Sequence, residues 1–273
     1  MFAANSLIFV PGSRPDRFAK AAAAGAGLTC IDLEDAVALP DKASAREAAL
    51  IQAAAGEGWA IRCNGIATAA GIADLAAFAE APTLPQTLLV PMVESAVELE
   101  IIGKVLGERC PALIPLIETP RGLRHALDIA SAPNVAAIMF GGADFSGELG
   151  VALAWEPLLA ARSALLLAAA EAKVPAIDVP WIGLDDQAGL EAECARARAL
   201  GFAAKAAIHP AQVPAIEAAF TPTEAEVAEA EEAIAAYLEA GERAIRFKGK
   251  MLEAPVVKRY RAVLSRKGKT SNA

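Results

Sequence analysis

The stretch VAAIMFGGAD, residues 135–144, holds the key to the fold. Six apolar side chains run without a charge, two glycines follow, and one carboxylate, Asp144, comes last. A short apolar run that stops at glycines reads as a strand covered on both faces, whose backbone then passes close to a neighbour. Unbroken rather than alternating apolarity is the pattern of a parallel strand, and it predicts Asp144 at the strand's mouth.

Seven other stretches repeat the design. They are LIFVPG (7–12), TCIDLED (29–35), WAIRCN (59–64), TLLVPMVES (87–95), LIPLIET (113–119), VPAIDVP (174–180) and AKAAIHP (204–210). Each is followed by a helix-forming segment such as RPDRFAKAAAAG or ESAVELEIIGKVLG. Regular alternation of strand and helix predicts a parallel sheet covered by helices, and eight such units predict a closed (β/α)8 TIM barrel. The polar residues cluster on these runs: Asp32, Glu34, Asp35, Arg62, Glu94, Glu118, Asp144, Asp178 and His209 all fall at or just past the C-terminal strand ends. In a parallel barrel those ends converge on the face where active sites are built. Capping of the next helix explains any one of them. It does not call for an arginine or a histidine, nor for charge on nearly every strand.

After residue 221 the pattern changes. TEAEVAEAEEAIAAYLEAGERA opens like a capping box and carries apolar residues at helical spacing, and a basic segment, IRFKGKMLEAPVVKRYRAVLSRKGKTSNA, closes the chain. Residues 1–221 are therefore expected to form the barrel and 222–273 a helical extension, with a disordered polar tail at its end.

Composition narrows the function classes. The chain has 273 residues, 55% of them hydrophobic, and a net charge of −8, so a large core is affordable and a surface for phosphate backbones is not indicated. No nucleic-acid partner is expected. Cys30, Cys63, Cys110 and Cys194 lack C-x-x-C spacing and nearby histidines, which points to unpaired thiols in a reducing compartment. No apolar run reaches membrane-spanning length and the N-terminus lacks the features of a signal peptide, so the expected location is the cytoplasm.

The candidate chemistry begins with Glu118 and Asp144, on consecutive predicted strands. Two carboxylates meeting across a barrel mouth repel, and one must hold a proton unless a divalent cation lies between them. Two carboxylates without histidine or cysteine suit Mg²⁺ better than zinc. Arg62 at a barrel mouth needs an anionic partner: a substrate carboxylate or developing enolate, an ion pair with Glu34 or Asp35, or both. Pro11 and Gly12 form a turn followed by Arg14, Arg17 and Lys20, an arrangement suited to an anion, with Arg17 equally suited to solvent. His209 is an acid–base candidate or a histidine held by backbone hydrogen bonds, and His125 is expected on the surface. No G-x-S-x-G is present, which argues against a serine hydrolase.

Read together and in order, FVPGSRPDRFAKA, IDLEDAVALPDKASAR, IRCNG, ESA, LIETPRGL, FGGADFSGELG, GFAAKAAIHPAQV and FKGKMLEAP resemble the citrate lyase beta-subunit-like proteins. These sit in the larger family of malyl-CoA and citramalyl-CoA lyases and the HpcH/HpaI aldolases. The resemblance implies a TIM barrel that uses Mg²⁺ to cleave or form carbon–carbon bonds in short 3-hydroxyacyl-CoA thioesters, with an oxo acid and an acyl-CoA as the other side of the reaction. It implies Glu118 and Asp144 as metal ligands and Arg62 as the group polarising the substrate. Phe9, Arg14 and Lys20 fall where relatives contact the thioester, and Glu34 and Asp35 where they support the site. It further implies that a C-terminal segment from a neighbouring subunit completes each site, hence a homo-oligomer, a trimer or hexamer.

Two positions depart from the family pattern. GKMLEAP places Glu253 where G-x-M-V/I-D-x-P has aspartate as the acid, one methylene shorter, and PMVES places Met92 where P-K-V-E-S has lysine. Thioester hydrolysis of malyl-CoA is a second enzymatic alternative, Met92 lends weight to a CoA-independent pyruvate aldolase, and Glu253 leaves open a non-catalytic subunit or binding barrel.

Overall fold

A computed structural model describes residues 2–267; the polar tail expected to be disordered lies outside the described residues. Eight strands, β1 (Ser6–Pro11), β2 (Leu28–Asp32), β3 (Trp59–Arg62), β4 (Thr87–Val90), β5 (Ala112–Ile117), β6 (Ile138–Phe140), β7 (Ala176–Asp178) and β8 (Ala204–Ala207), close into a barrel in sequence order. Every neighbouring pair is parallel, and β1 meets β8 through Ser6↔Lys205, Leu7↔Ala206 and Ile8↔Ala207. The TIM barrel predicted from strand–helix alternation is the observed fold.

Residues of one parity fill the barrel. Leu7, Cys30, Ala60, Leu89, Leu116 and Met139 belong to one buried interior cluster, and each removes its apolar surface from water at about 25 cal/mol per Å². Side chains on a strand alternate faces, so two steps further along the same strands lie Phe9, Asp32, Arg62, Glu118 and Gly141, at the C-terminal mouth. The opposite parity faces the helices, where Ile8, Ile31, Ile61 and Ile117 are fully buried. Apolarity on both faces is why these strands show no hydrophobic alternation.

Helices end the strands as the sequence signals require. Ser95 and Glu98 form a capping box on the helix Ala96–Leu106, and Thr68 and Thr119 accept from Gly71 N–H and Gly122 N–H at their helix starts. The apolar run around residue 140 behaves differently from its reading as one strand. Only Ile138–Phe140 pair as β6, and the helix Gly142–Leu149 begins almost at once, which puts Asp144 in a first helical turn rather than on a strand.

The chain divides into two compact units between Glu217 and Ala218, within the helix Val213–Phe220. The second unit contains the helix Glu224–Glu239, capped by Thr223 and Glu226, and the helix Ala254–Lys267. Between them a hairpin pairs Ile245–Phe247 antiparallel with Lys250–Leu252, an element that the expectation of a helical extension did not include. Its two-residue turn, Lys248 and Gly249 at φ 45° and 79°, takes the left-handed conformations that match strand twist. Ala233, Tyr237, Leu252 and Val257 form this unit's own core. Among the described residues no helix is long and apolar enough to cross a membrane.

Candidate active site

At the barrel's C-terminal mouth the register of two adjacent strands sets the first contact. Asp32 and Arg62 are paired positions on β2 and β3, and their side chains share the interior parity. The result is a bidentate bond, Arg62 Nε to Asp32 Oδ1 and Arg62 Nη2 to Asp32 Oδ2, both 2.7 Å. Arg62 Nη1 lies 2.8 Å from Glu34 Oε2, a charge contact whose geometry falls short of a hydrogen bond, and 3.5 Å from Asp35 Oδ2. The guanidinium also lies over the Phe9 ring, 4.9 Å from its centroid. Burial works against its charge, yet the hydrogen bonds and charge of Asp32, with Glu34 and Asp35 behind them, hold its pKa above the ordinary value. Asp32 is itself fixed by accepting the N–H groups of Glu34 and Ala36.

Glu118 follows β5 and is almost fully buried. Its Oε2 accepts the backbone N–H of Met92 at 2.6 Å, and its Oε1 accepts no hydrogen bond among the described residues. Met92 points that N–H inward because its backbone is left-handed, at φ 55°, a conformation that costs a residue with a Cβ free energy and that concentrates at functional sites. Gly141 provides the space on the other side: a Cβ there would stand 2.5 Å from Glu118 Oε1 and 2.7 Å from its carboxyl carbon. Burial pushes the Glu118 carboxyl up to about 7, with the negative charges of Asp144 and Asp35 adding to the effect. Burial, then Asp35, also raises Asp144, and burial pushes Glu34 up to about 8 against the pull of Arg62.

Asp32, Asp35, Arg62, Glu118 and Asp144 line one cavity of about 410 Å³. Its charge is confined to one arc, contributed by β2, β3, β5 and the turn after β6. The remaining arc is apolar, with Phe9 of β1, Val179 and Ile182 after β7, and Ile208 after β8, together with Leu153.

The structure distributes the residues singled out in the sequence over three places. Phe9, Arg62, Glu118, Asp144 and Asp35 meet in the cavity, and Glu34 stands behind Arg62. Arg14 is on the surface in a two-bond pair with Asp16, Lys20 is exposed on the helix Phe18–Ala22, and neither belongs to the cavity wall. Glu253 is exposed in the second unit, where its carbonyl accepts the N–H groups of Val256 and Val257. His209, exposed and outside the wall, caps the turn Pro210–Gln212 by accepting Ala211 N–H on Nδ1, which selects the backbone-held of its two readings. His125 is exposed, as expected. Asp178 has the helix-facing parity. It joins Lys205 at 2.7 Å and Arg162 at 2.9 Å in a buried ion cluster, with Glu193 2.7 Å from Lys205 Nζ.

Sequence reasoning missed Asp32 as the partner of Arg62. The signal was parity: Glu34 and Asp35 lie beyond the strand, whereas Asp32 and Arg62 both stand two residues past an interior side chain. Gly141 and the apolar arc were also missed, because the neighbours of a glycine or a valine come from distant strands.

Glu118 and Asp144 on the wall of one cavity with an aimed guanidinium, at the mouth of a closed parallel barrel, are the arrangement of a TIM-barrel enzyme. Two family models match the chain: HpcH/HpaI aldolase/citrate lyase over residues 5–210, and the C-C bond lyase of the TIM-barrel fold over residues 167–268. The chain belongs to the HpcH/HpaI aldolase/citrate lyase family. It is 36% identical over 242 residues to a (3S)-malyl-CoA thioesterase of Cereibacter sphaeroides, covering 86% of this chain and 84% of the relative. It is 30% identical over 291 residues to a mitochondrial citramalyl-CoA lyase of Rattus norvegicus, covering 96% and 85%. The crystal structure of CitE from Mycobacterium tuberculosis in complex with magnesium, acetoacetate and coenzyme A superposes with a TM-score of 0.84 at 34% identity, covering 97% of this chain and 98% of that one.

Proposed function

We propose that the protein is a Mg²⁺-dependent carbon–carbon lyase that cleaves, or in reverse forms, a short 3-hydroxyacyl-CoA thioester of the malyl-CoA or citramalyl-CoA kind. The observation that carries this reading is the buried Glu118 beside Asp144 in the cavity that also holds the locked Arg62. The donor set fits a hard cation. It consists of carboxylate oxygens alone, and Glu118 Oε1 accepts no hydrogen bond among the described residues; no group of three or more histidines, cysteines or acids there could hold a metal by itself, so with two carboxylates the remaining ligands would be water and substrate oxygens. Both carboxyls are pushed upward by burial and by like charge, a penalty that a divalent cation reverses. Glu118 and Asp144 would hold Mg²⁺, which when bound supplies a Lewis acid for the oxygens of the oxo-acid portion.

In cleavage the 3-hydroxyl loses its proton and its oxygen becomes the carbonyl of the departing oxo acid. The electron pair of the broken carbon–carbon bond passes to the thioester's alpha carbon, which takes up one proton to give the acyl-CoA. Arg62 serves where negative charge develops, because three carboxylates hold its direction before the reaction begins and no reorganisation is needed. Phe9 beneath the guanidinium keeps water from that face. Glu253, exposed at the start of its helix, delivers the proton to the site of a neighbouring copy in a homo-oligomer. Arg14 and Lys20, exposed beside the mouth-side turn, suit the phosphates of coenzyme A. The four unpaired cysteines fit a reducing compartment such as the cytoplasm.

Incubation with Mg²⁺, acetyl-CoA and glyoxylate or pyruvate, with products read by mass spectrometry, tests the lyase; no adduct and no cleavage across such a panel refutes it. Likeness to the malyl-CoA thioesterase favours a second reading, hydrolysis of the thioester. It is distinguished by free thiol that accumulates after the first products form.

A further inference from the structure

The cavity holds four carboxylates, Asp32, Asp35, Glu118 and Asp144, against one guanidinium, and Arg62 is committed to Asp32, Glu34 and Asp35. A divalent cation on Glu118 and Asp144 does not change the sign of that sum. No lysine, second arginine or histidine lines the cavity among the described residues. The apolar part of the wall has Phe9 of β1, Leu153 between β6 and β7, Val179, Pro180 and Ile182 after β7, and Ile208 just after β8. An anionic group beyond the reacting carboxylate would therefore lose its hydration without gaining a cation, while an alkyl group would meet matching surface. Burial of an unpaired charge is rejected far more strongly than a change of one methylene.

Building on the lyase reading, we infer that the oxo acid handled by this enzyme carries an uncharged alkyl substituent and that a second carboxylate is excluded, with Ile208 and its neighbours on the apolar arc as the selecting residues. The enzyme thus works on alkyl-substituted 3-hydroxyacyl thioesters and discriminates against those derived from a dicarboxylic oxo acid. Ile208 is the residue through which the preference can be changed, because it stands at the end of β8 with 43% of its surface exposed, so a long cationic side chain fits there without disturbing the core.

The test uses a matched pair, 2-oxobutanoate and oxaloacetate, in which a methyl group replaces a carboxylate on the same carbon. Binding of each to the full chain in Mg²⁺ is measured by calorimetry, and condensation with acetyl-CoA is followed separately. The expected result is at least 10-fold tighter binding of 2-oxobutanoate, with Ile208→Lys narrowing that ratio at least 10-fold by improving oxaloacetate. Equal or tighter binding of oxaloacetate by the native enzyme overturns the inference, and so does an unchanged ratio in Ile208→Lys. The two readings fail separately. Selective binding with no carbon–carbon bond formed from any acyl-CoA refutes the lyase and keeps the selectivity, whereas turnover of both acids at equal kcat/KM keeps the lyase and refutes the selectivity.

Discussion

Gly141→Ala tests the arrangement around Glu118 most directly. Gly141 has φ −90° and ψ 68°, so alanine is not excluded by backbone conformation and the substitution acts through space alone. The new methyl group would overlap Glu118 Cγ most closely and lie 2.7 Å from its carboxyl carbon, where an ordinary contact begins near 3.4 Å, so the whole side chain must withdraw by at least about 0.7 Å. On the far side the Met92 N–H, 2.6 Å from Oε2, leaves no slack in that direction. The carboxylate is thus driven out of position, and misplacement of about 1 Å costs on the order of 10²-fold. We expect kcat/KM to fall between about 10-fold and 10²-fold and Mg²⁺ affinity to fall with it. Overpacking costs about 1–3 kcal/mol of stability, at roughly 2–4 °C of Tm per kcal/mol for a chain of this size. Steady-state kinetics and Mg²⁺ calorimetry read the effect. Gly147→Ala, whose Cβ meets nothing within 4 Å, is the control. A Gly141→Ala enzyme with kcat/KM and Mg²⁺ affinity within threefold of native would refute the reasoning.

Four further outcomes follow from the same geometry. Glu118→Gln and Asp144→Asn should each abolish turnover and Mg²⁺ binding, while Tm at pH 8, read by fluorimetry, stays close to native for the exposed Asp144 and at or above native for Glu118→Gln, which removes a buried charge; a large loss of stability would mark these groups as structural. Glu118 at about 7 and Glu34 at about 8 are raised above the ordinary carboxylate value, so the folded state holds their protons more tightly than the unfolded one. Their contribution is complete below the unfolded pKa and lost as pH rises through 7 and 8: metal-free Tm should fall between pH 5.5 and 8.5, and less steeply in a Glu34→Gln, Glu118→Gln double variant. Asp32→Asn takes the bidentate partner from Arg62 and should cost about 3 kcal/mol, together with a fall in kcat larger than any change in KM; an unchanged kcat would show that Asp32 does not aim the guanidinium. Mixing Glu253→Gln with Glu118→Gln, each inactive alone, should restore turnover in hetero-oligomers if one copy's acid serves another copy's site, and failure to restore it under subunit exchange would place the acid elsewhere.

The barrel was legible because its signals are local. Eight apolar runs separated by helical periodicity specify strands buried on both faces, and Ser95 with Glu98 or Thr223 with Glu226 announce helix starts within four residues. Glu118, Asp144 and Arg62 were legible for a related reason, since charge at the end of a buried run is costly unless something uses it. Two local readings did not carry through. GGAD looked like the end of a strand but opens a helix at Gly142, where an added Cβ would crowd Phe140, Val179 and Leu153. Asp178 shared the strand-end position of the cavity acids, yet parity turned it toward Lys205 and Arg162.

From sequence alone came the parts and their order: the strands, the helices, the carboxylates and the arginine at the ends of buried runs, and the family to which the chain belongs. Tertiary structure alone decided the pairings: Asp32 rather than Glu34 as the main partner of Arg62, Met92 N–H and Gly141 as the clamp on Glu118, and an apolar arc facing a charged one. The physical reason is range. Propensity and capping act within a turn or two of chain, whereas register, parity and closure bring β2 to β3, β4 to β5 and β8 to β1 across intervals that no local signal spans.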